Sequence, residues 1–369
     1  MNATTQLHAL GQSLWLDNIS RDLLDSGRLQ EYCSKLSVTG LTSNPSIFAQ
    51  AIGHGGAYEP AIRQKMADGK SGEALFFELA LEDLGRAATI LRPVHQATGG
   101  VDGWVSLEVS PLLADDAAAT LVEAKRLHAR ARCPNLLIKI PGTTAGIRAI
   151  EETIFAGVPV NVTLLFSREQ YIAAADAYWR GIARRVEAGL DPAVVSVASV
   201  FVSRWDSAVA SHVPPELGNR LGTAIARRIY KAYRQRQTTS AWKKLAAAGA
   251  LPQRLLWAST GTKDPQLRDT YYVEALAAAQ TINTLPEKTL LACAAHGQVN
   301  GVMPEDGGDA ESVLADFALA GIDIASLATR LQREGALAFS KSWNELLAVI
   351  ADKSQAAARP TTENIDDHS

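Results

Sequence analysis

Eight short apolar runs, each followed by sequence with helical periodicity, constrain the fold of this 369-residue chain more than any other feature. Runs of this length that alternate with helical stretches are typical of parallel strands joined by crossover helices. The runs are 13–17, 38–42, 103–109, 136–140, 158–166, 194–202, 254–261 and 281–286. The last run is the weakest, because Pro286 must end any strand there.

This alternation predicts an α/β fold, and more specifically a closed (β/α)8 TIM barrel. An open doubly wound sheet is less favoured, because no GxGxxG motif follows the first run. Residues 206–249 are too many for one crossover, so we expect additional helices after strand 6, and others at the C-terminus. The sequence therefore predicts a single domain over residues 1–353 with a helical insertion at about 206–249. The polar segment 354–369 is expected to be a disordered tail.

Charge and hydropathy exclude several classes of partner. The formal net charge of −3 gives no support for a nucleic-acid surface. The local positive clusters Arg227–Arg228 and Arg234–Arg236 lie in polar helical sequence and are interpreted as solvated faces. No apolar run reaches membrane-spanning length, and residues 1–14 lack the pattern of a signal peptide. We expect neither a nucleic acid nor a membrane as partner.

Cysteine usage indicates the compartment. The three cysteines, Cys33, Cys133 and Cys293, are far apart and show no CxxC spacing. An odd number without a pairing pattern predicts a reducing environment and thus a cytoplasmic protein. Each cysteine is interpreted as a small core residue rather than a metal ligand or nucleophile.

The fourth run, Leu136–Ile140, contains Lys139 in an otherwise apolar strand. An ammonium group in a dry strand is costly, and the usual relief is loss of its proton. The neutral amine that results is the nucleophile that Schiff-base chemistry with a carbonyl substrate requires. The alternative is a lysine at a strand end whose side chain reaches solvent. This run alone leaves both interpretations open.

Polar side chains stand at or just after the ends of other predicted strands, and in a (β/α)8 barrel these ends form the rim that carries function. They are Asp17, Asn44, Glu108, Asn161, Thr163, Ser199, Arg204 and Lys263. Any one of them is explained as a helix cap or a satisfied buried group. Their occurrence on one rim predicts an active site around Lys139.

Each type of side chain in this set suits one task. The two carboxylates can shuttle protons during Schiff-base formation and carbon–carbon cleavage. The two asparagines can orient sugar hydroxyls, and the two hydroxyl side chains can hold a water or a substrate hydroxyl. The two cations can bind a phosphate, although a solvated face is the alternative for both.

Six segments, in this order, resemble the transaldolase family. They are Leu14–Asp17, Thr39–Phe48, Leu137–Pro141, Asn161–Ser167, Ser199–Arg204 and Trp257–Lys263. The resemblance extends over about residues 11–350 and matches the longer bacterial form. It implies reversible transfer of a dihydroxyacetone unit in the non-oxidative pentose phosphate pathway. Sedoheptulose 7-phosphate and glyceraldehyde 3-phosphate would give erythrose 4-phosphate and fructose 6-phosphate. No metal or organic cofactor is implied, and the sequence leaves a monomer and a homodimer open.

The resemblance also implies a role for each matching residue. Lys139 matches the Schiff-base lysine, Asp17 the acid/base aspartate, and Glu108 with Thr163 the residues that position a water. The substrate-binding matches are Asn44, Asn161 and Ser199 for hydroxyls, Phe201 as a pocket aromatic and Arg204 for phosphate. The chain departs from the pattern where many members carry a second arginine after the seventh strand. Lys263 is the nearest positive charge there, and we expect it to substitute.

Two rival functions remain at this stage. A fructose-6-phosphate aldolase-type enzyme would release free dihydroxyacetone directly, but such relatives are shorter and replace the matching glutamate, so Glu108 favours transfer. A non-catalytic sugar-phosphate binding barrel would have no need of a lysine inside an apolar strand.

Overall fold

The computed structural model describes residues 2–358. Their eight parallel strands pair in chain order, and β1 pairs with β8 to close the barrel. The strands are β1 Ser13–Asp17, β2 Val38–Thr42, β3 Val105–Glu108, β4 Leu136–Pro141, β5 Val160–Leu165, β6 Ser196–Phe201, β7 Arg254–Ala258 and β8 Ile282–Leu285. The predicted (β/α)8 barrel is confirmed, and β8 ends directly before Pro286 as expected.

Helices follow every strand and form the outer layer. They are α1 Ala3–Ala9, α2 Arg21–Asp25, α3 Arg28–Leu36, α4 Pro45–Gly53, α5 Glu59–Ala67, α6 Gly72–Ala97, α7 Ala117–Ala131, α8 Thr144–Phe155, α9 Arg168–Glu187, α10 Ser203–Val209, α11 Leu221–Gln237, α12 Ser240–Ala247, α13 Tyr271–Ala275, α14 Glu287–His296, α15 Ala310–Leu319 and α16 Ile324–Ala358. Short 3-10 helices occupy Pro111–Leu113 and Pro215–Leu217. The predicted extra helices after strand 6 are α10 to α12, and those at the C-terminus are α15 and α16.

N-terminal caps start several helices immediately after a strand ends. Asn44 and Thr143 accept backbone N–H bonds as caps of α4 and α8. Ser167 and Gln170 form the reciprocal capping box that the sequence predicted for α9. Because each cap follows its strand within a few residues, these polar positions lie at the carboxyl rim of the barrel.

The positive clusters of α11 make ion pairs, which corrects their interpretation as solvated faces. Three of the four pairs join α11 to the segment around α15, and the fourth joins it to α9. The pairs are Arg227–Asp309, Arg228–Glu311, Arg234–Glu305 and Arg236–Asp176. The helical insertion therefore anchors the C-terminal part of the chain.

The last helix, α16, packs against α4, α5 and α6 and reaches the barrel at β5. Its buried Trp343 meets the ring of Phe76 edge-on at 5.1 Å. The helix continues through Ala358, so 354–358 are helical where the sequence predicted a disordered tail. The rest of that predicted tail, 359–369, lies outside the described residues.

Within residues 2–358, no single helix is both long enough and apolar enough to cross a bilayer. Helices α15 and α16 meet the length and apolarity criteria only when taken together, and they are bent by 93° at the break between them.

A polar floor closes the barrel at the amino ends of the strands. It consists of Ser13, Trp15, Asp102 and Arg254. The fully buried Trp15 indole donates to Asp102 at 2.7 Å, and Arg254 donates to Ser13 at 2.6 Å. Trp15 fits only because Gly40 lies beside it, since a Cβ there would stand 2.4 Å from the indole nitrogen. This packing leaves the carboxyl rim as the open end of the barrel.

Candidate active site

Strand register brings three predicted site residues to one level of the barrel. Glu108 of β3 pairs with Lys139 of β4, and Lys139 pairs in turn with Asn161 of β5. Directly paired residues of parallel strands point to the same side of a sheet. All three are buried side by side.

Lys139 lies against a carboxylate. Its Nζ is 3.2 Å from Oε2 of Glu108 and donates to the carbonyl oxygen of Ser43 at 3.2 Å. The lysine is 6% exposed, so its side chain does not run to solvent. Burial raises the pKa of the Glu108 carboxyl; the Lys139 cation opposes this, and the charge of Asp17 adds to it. Glu108 thus holds a proton more readily than an exposed glutamate does.

Asp17 stands at the end of β1 in a chain of hydroxyl groups. Thr42 donates to Oδ1 of Asp17 at 2.7 Å, and the Thr42 and Thr284 hydroxyl oxygens are 2.6 Å apart. Burial raises the pKa of the Asp17 carboxyl, against the opposing effects of the Lys139 cation and the Thr42 hydrogen bond. Two carboxyl groups with raised pKa values beside one lysine are suited to moving protons.

Asn161 belongs to a side-chain network across three strands. Its Nδ2 donates to Oγ of Ser106 at 3.1 Å, and Ser199 donates to its Oδ1 at 2.7 Å. These bonds fix the orientation of the amide at the cavity wall. Thr163 is fully buried, and its hydroxyl has no hydrogen-bond partner within residues 2–358. That hydroxyl is therefore available to a water or a substrate group.

Asn44 has two tasks at the start of α4. Its Oδ1 accepts from the backbone N–H of Ile47 at 3.1 Å and from Oγ of Ser46 at 2.6 Å. The cap uses only the oxygen of the amide, so the NH₂ group of this cavity-lining residue keeps its two donors.

Arg204 also lines the cavity and has no counter-charge among residues 2–358. Its guanidinium stands 5.0 Å from the ring centre of the buried Phe201, and no carboxylate oxygen within residues 2–358 lies within 4.0 Å of it. Burial lowers the pKa of the Arg204 guanidinium, so an anion would offset a real desolvation cost. Lys263 is exposed and lines the same cavity, so the two cations share one region.

One cavity of about 310 Å³ unites these side chains. Nine of the ten site residues predicted from sequence line this cavity. The tenth, Glu108, does not line it but contacts Nζ of Lys139. The volume lies within the range of roughly 300–1,000 Å³ found for small-molecule sites.

Two kinds of cavity residue were not predicted from the sequence: one on β8 whose role the sequence does not reveal, and several on a helix rather than at a strand end. Thr284 lies on β8 and bonds to Thr42, and α16 contributes Ala338, Phe339 and Ser342 to the cavity. The only signal for α16 was Gly335, a glycine inside a long helical pattern, which usually has a packing or functional reason.

Comparisons with known proteins identify the family of this chain. A profile of the family described as Transaldolase/Fructose-6-phosphate aldolase matches residues 14–350. The chain is 45% identical to a transaldolase of Frankia alni over 95% of this chain and 97% of the relative. It is 41% identical to a transaldolase of Neisseria meningitidis, over 95% of this chain and 100% of that relative. It is 43% identical to a transaldolase of Thermobifida fusca over 94% of this chain and 97% of that relative. The chain belongs to the transaldolase/fructose-6-phosphate aldolase family.

Proposed function

We propose that this barrel transfers a dihydroxyacetone unit between sugar phosphates through a Schiff base on Lys139. The donor and acceptor pairs are sedoheptulose 7-phosphate with glyceraldehyde 3-phosphate, and fructose 6-phosphate with erythrose 4-phosphate. The observation that carries the residue assignment is the buried Lys139–Glu108 contact at 3.2 Å, with Asp17 close enough to influence both groups. Full-length similarity to relatives named transaldolase supports the reaction.

Schiff-base formation begins with transfer of a proton from Nζ to Glu108. The raised pKa of Glu108 favours this transfer, and the amine lone pair then attacks the ketone carbon of the substrate. Loss of water from the carbinolamine needs a proton on the departing oxygen, which Glu108 returns through a water held by Thr163. The product is an iminium bond between Nζ and the former ketone carbon.

Cleavage and transfer then use Asp17. Its carboxylate takes the proton from the hydroxyl group of the carbon beyond the breaking bond, the aldehyde leaves, and the electron pair remains as an enamine on Lys139. The acceptor aldehyde reverses these steps. Asn44, Asn161 and Ser199 orient the hydroxyls, and Arg204 with Lys263 binds the phosphate of donor and acceptor in turn.

Reduction of the intermediate tests this assignment directly. Borohydride added in the presence of fructose 6-phosphate should fix the ligand to Lys139 as a secondary amine that peptide mass spectrometry locates. Absence of an adduct on the peptide that contains Lys139, or an adduct on another lysine, would refute the assignment.

Arg204→Ala tests the phosphate site. We expect KM for fructose 6-phosphate to rise by about 10- to 100-fold, because a charge-assisted bidentate contact contributes about 1.5–3 kcal/mol. Binding of unphosphorylated dihydroxyacetone should change less than twofold. Arg220→Ala, at an exposed arginine, is the matched control. Equal losses for phosphorylated and unphosphorylated ligands would argue against a phosphate role for Arg204.

The direct aldolase alternative has less support, because the relatives are named for transfer and Glu108 is present at the lysine. We also infer a cytoplasmic location, supported by three free cysteines, of which Cys293 is buried and Cys33 and Cys133 are half-buried against the core.

A further inference from the structure

One wall of the cavity comes from α16, which lies far along the chain from the barrel strands. Its residues Gln332, Gly335, Phe339 and Ser342 are spaced three and four apart, so they share one face of the helix. We call these four residues the roof. Phe339 and Ser342 line the cavity directly.

Gln332 fastens the roof to the barrel rim. Its Nε2 donates to the carbonyl oxygens of Gly142 at 2.9 Å and of Leu164 at 3.0 Å, just after β4 and within β5. Leu164 has a φ of 60°, and the register of β5 shifts there. Gln332 thus holds the helix to β5 at the point where the strand is irregular.

Gly335 allows the roof to approach closely. A Cβ at this position would stand 2.9 Å from Cδ2 of Leu164 and 3.3 Å from Nη1 of Arg204. A side chain here would push the helix away from the phosphate-binding arginine. The helix is therefore fixed at short range over both the lysine and Arg204.

Phe339 brings the roof close to the reacting nitrogen. Its ring centre lies 5.2 Å from Nζ of Lys139 and 6.4 Å from the ring of Phe201. Phe201 in turn stands 5.4 Å from the ring of Phe166. Phe339 and Phe201 line the cavity, Phe166 packs against Phe201, and an apolar lining of this kind admits water poorly.

We propose that Phe339 determines whether the enamine on Lys139 is transferred or lost to water. This inference rests on the proposed function. Loss requires a proton on the enamine carbon, addition of one water to the iminium carbon and cleavage of the carbon–nitrogen bond. Those steps give free dihydroxyacetone and the free amine. Transfer requires the same carbon to attack an aldehyde, so a ring that keeps solvent from it favours transfer.

The test is the ratio of two products formed from fructose 6-phosphate and erythrose 4-phosphate. Free dihydroxyacetone reports loss, and sedoheptulose 7-phosphate reports transfer. For Phe339→Leu and Phe339→Ala we expect the ratio of loss to transfer to rise by about fivefold or more, with the larger rise for alanine. Leu337→Ala is the matched control, because Leu337 is on the same helix and 63% exposed, and its ratio should equal that of the unchanged protein.

An unchanged ratio in both Phe339 variants would overturn the proposal, whatever their total rate. If neither variant folds, Gln332→Ala replaces them, because loosening the helix should raise the ratio in the same direction, and an unchanged ratio there also overturns it. The borohydride reaction on the unchanged protein separates the two hypotheses. An adduct on Lys139 together with an unaltered ratio rejects only the proposal for Phe339. Absence of an adduct rejects the proposed function.

Discussion

Lys139→Met should abolish transfer, with kcat falling by on the order of 10⁴-fold or more. Methionine has nearly the length of lysine and fills the same space. Because it has no amine, no Schiff base can form with the substrate. The substitution also leaves Glu108 buried without its cation. Since that cation lowers the pKa of Glu108, its removal should raise the pKa further and so favour the protonated carboxyl. Steady-state transfer assays on purified protein provide the measurement.

The control for this result is Lys35→Met. The Lys35 side chain is 71% exposed and forms a surface ion pair with Glu31, so its loss should change kcat by less than twofold. Circular dichroism and thermal unfolding show whether the Lys139 variant keeps the barrel. Turnover within tenfold of normal in a folded Lys139→Met protein would disprove the nucleophile assignment.

Asp17→Asn should lower kcat by about 10²- to 10⁴-fold, the usual range for removal of a positioned general acid or base. Asparagine keeps the oxygen that accepts the Thr42 hydrogen bond, so the local structure should persist. Because Lys139 and Glu108 remain, the Schiff base should still form. Borohydride should then trap the intact six-carbon sugar phosphate, since carbon–carbon cleavage is the blocked step.

The pH dependence gives a second measurement on the same variant. Activity requires the ionised form of the carboxyl pair, and this form is lost as pH falls. Because burial raises the pKa values of both Asp17 and Glu108, kcat should begin to fall at a higher pH than the pKa of a free carboxyl group would give. The charge of Asp17 raises the pKa of Glu108, and its removal should move the remaining limb to lower pH. Asp22→Asn, at an exposed position near the start of α2, should leave both rate and limb unchanged.

Strand positions were predictable because each strand is short, apolar and buried on both faces. Such runs can be recognised from the sequence without knowledge of tertiary contacts. The bounds of Ser13–Asp17 and Val38–Thr42 were predicted to the residue. Site residues on strand ends were predictable for the same reason. The closed order of the strands then brings distant positions such as Asp17 and Lys139 to one rim.

The roof was beyond sequence reasoning because its contacts depend on how helices pack on the barrel. Gln332, for example, bonds to a carbonyl 190 residues away in the sequence. Nothing local marks Phe339 as different from any aromatic residue on an amphipathic helix. The ion pairs of α11 were missed for the same reason, since their partners lie around α15 and on α9.

The position of α16 after all eight barrel strands also has a consequence for synthesis. Lys353 donates to the carbonyl of Gly55, 298 residues earlier, so α16 contacts a part of the chain that is synthesised well before it. All eight strands are made when β8 is complete at Leu285, about 70 residues before the helix ends. At roughly 5–20 residues per second, these take about 4–14 s to add. A nascent chain therefore carries its lysine and both carboxylates before it has the wall that covers them.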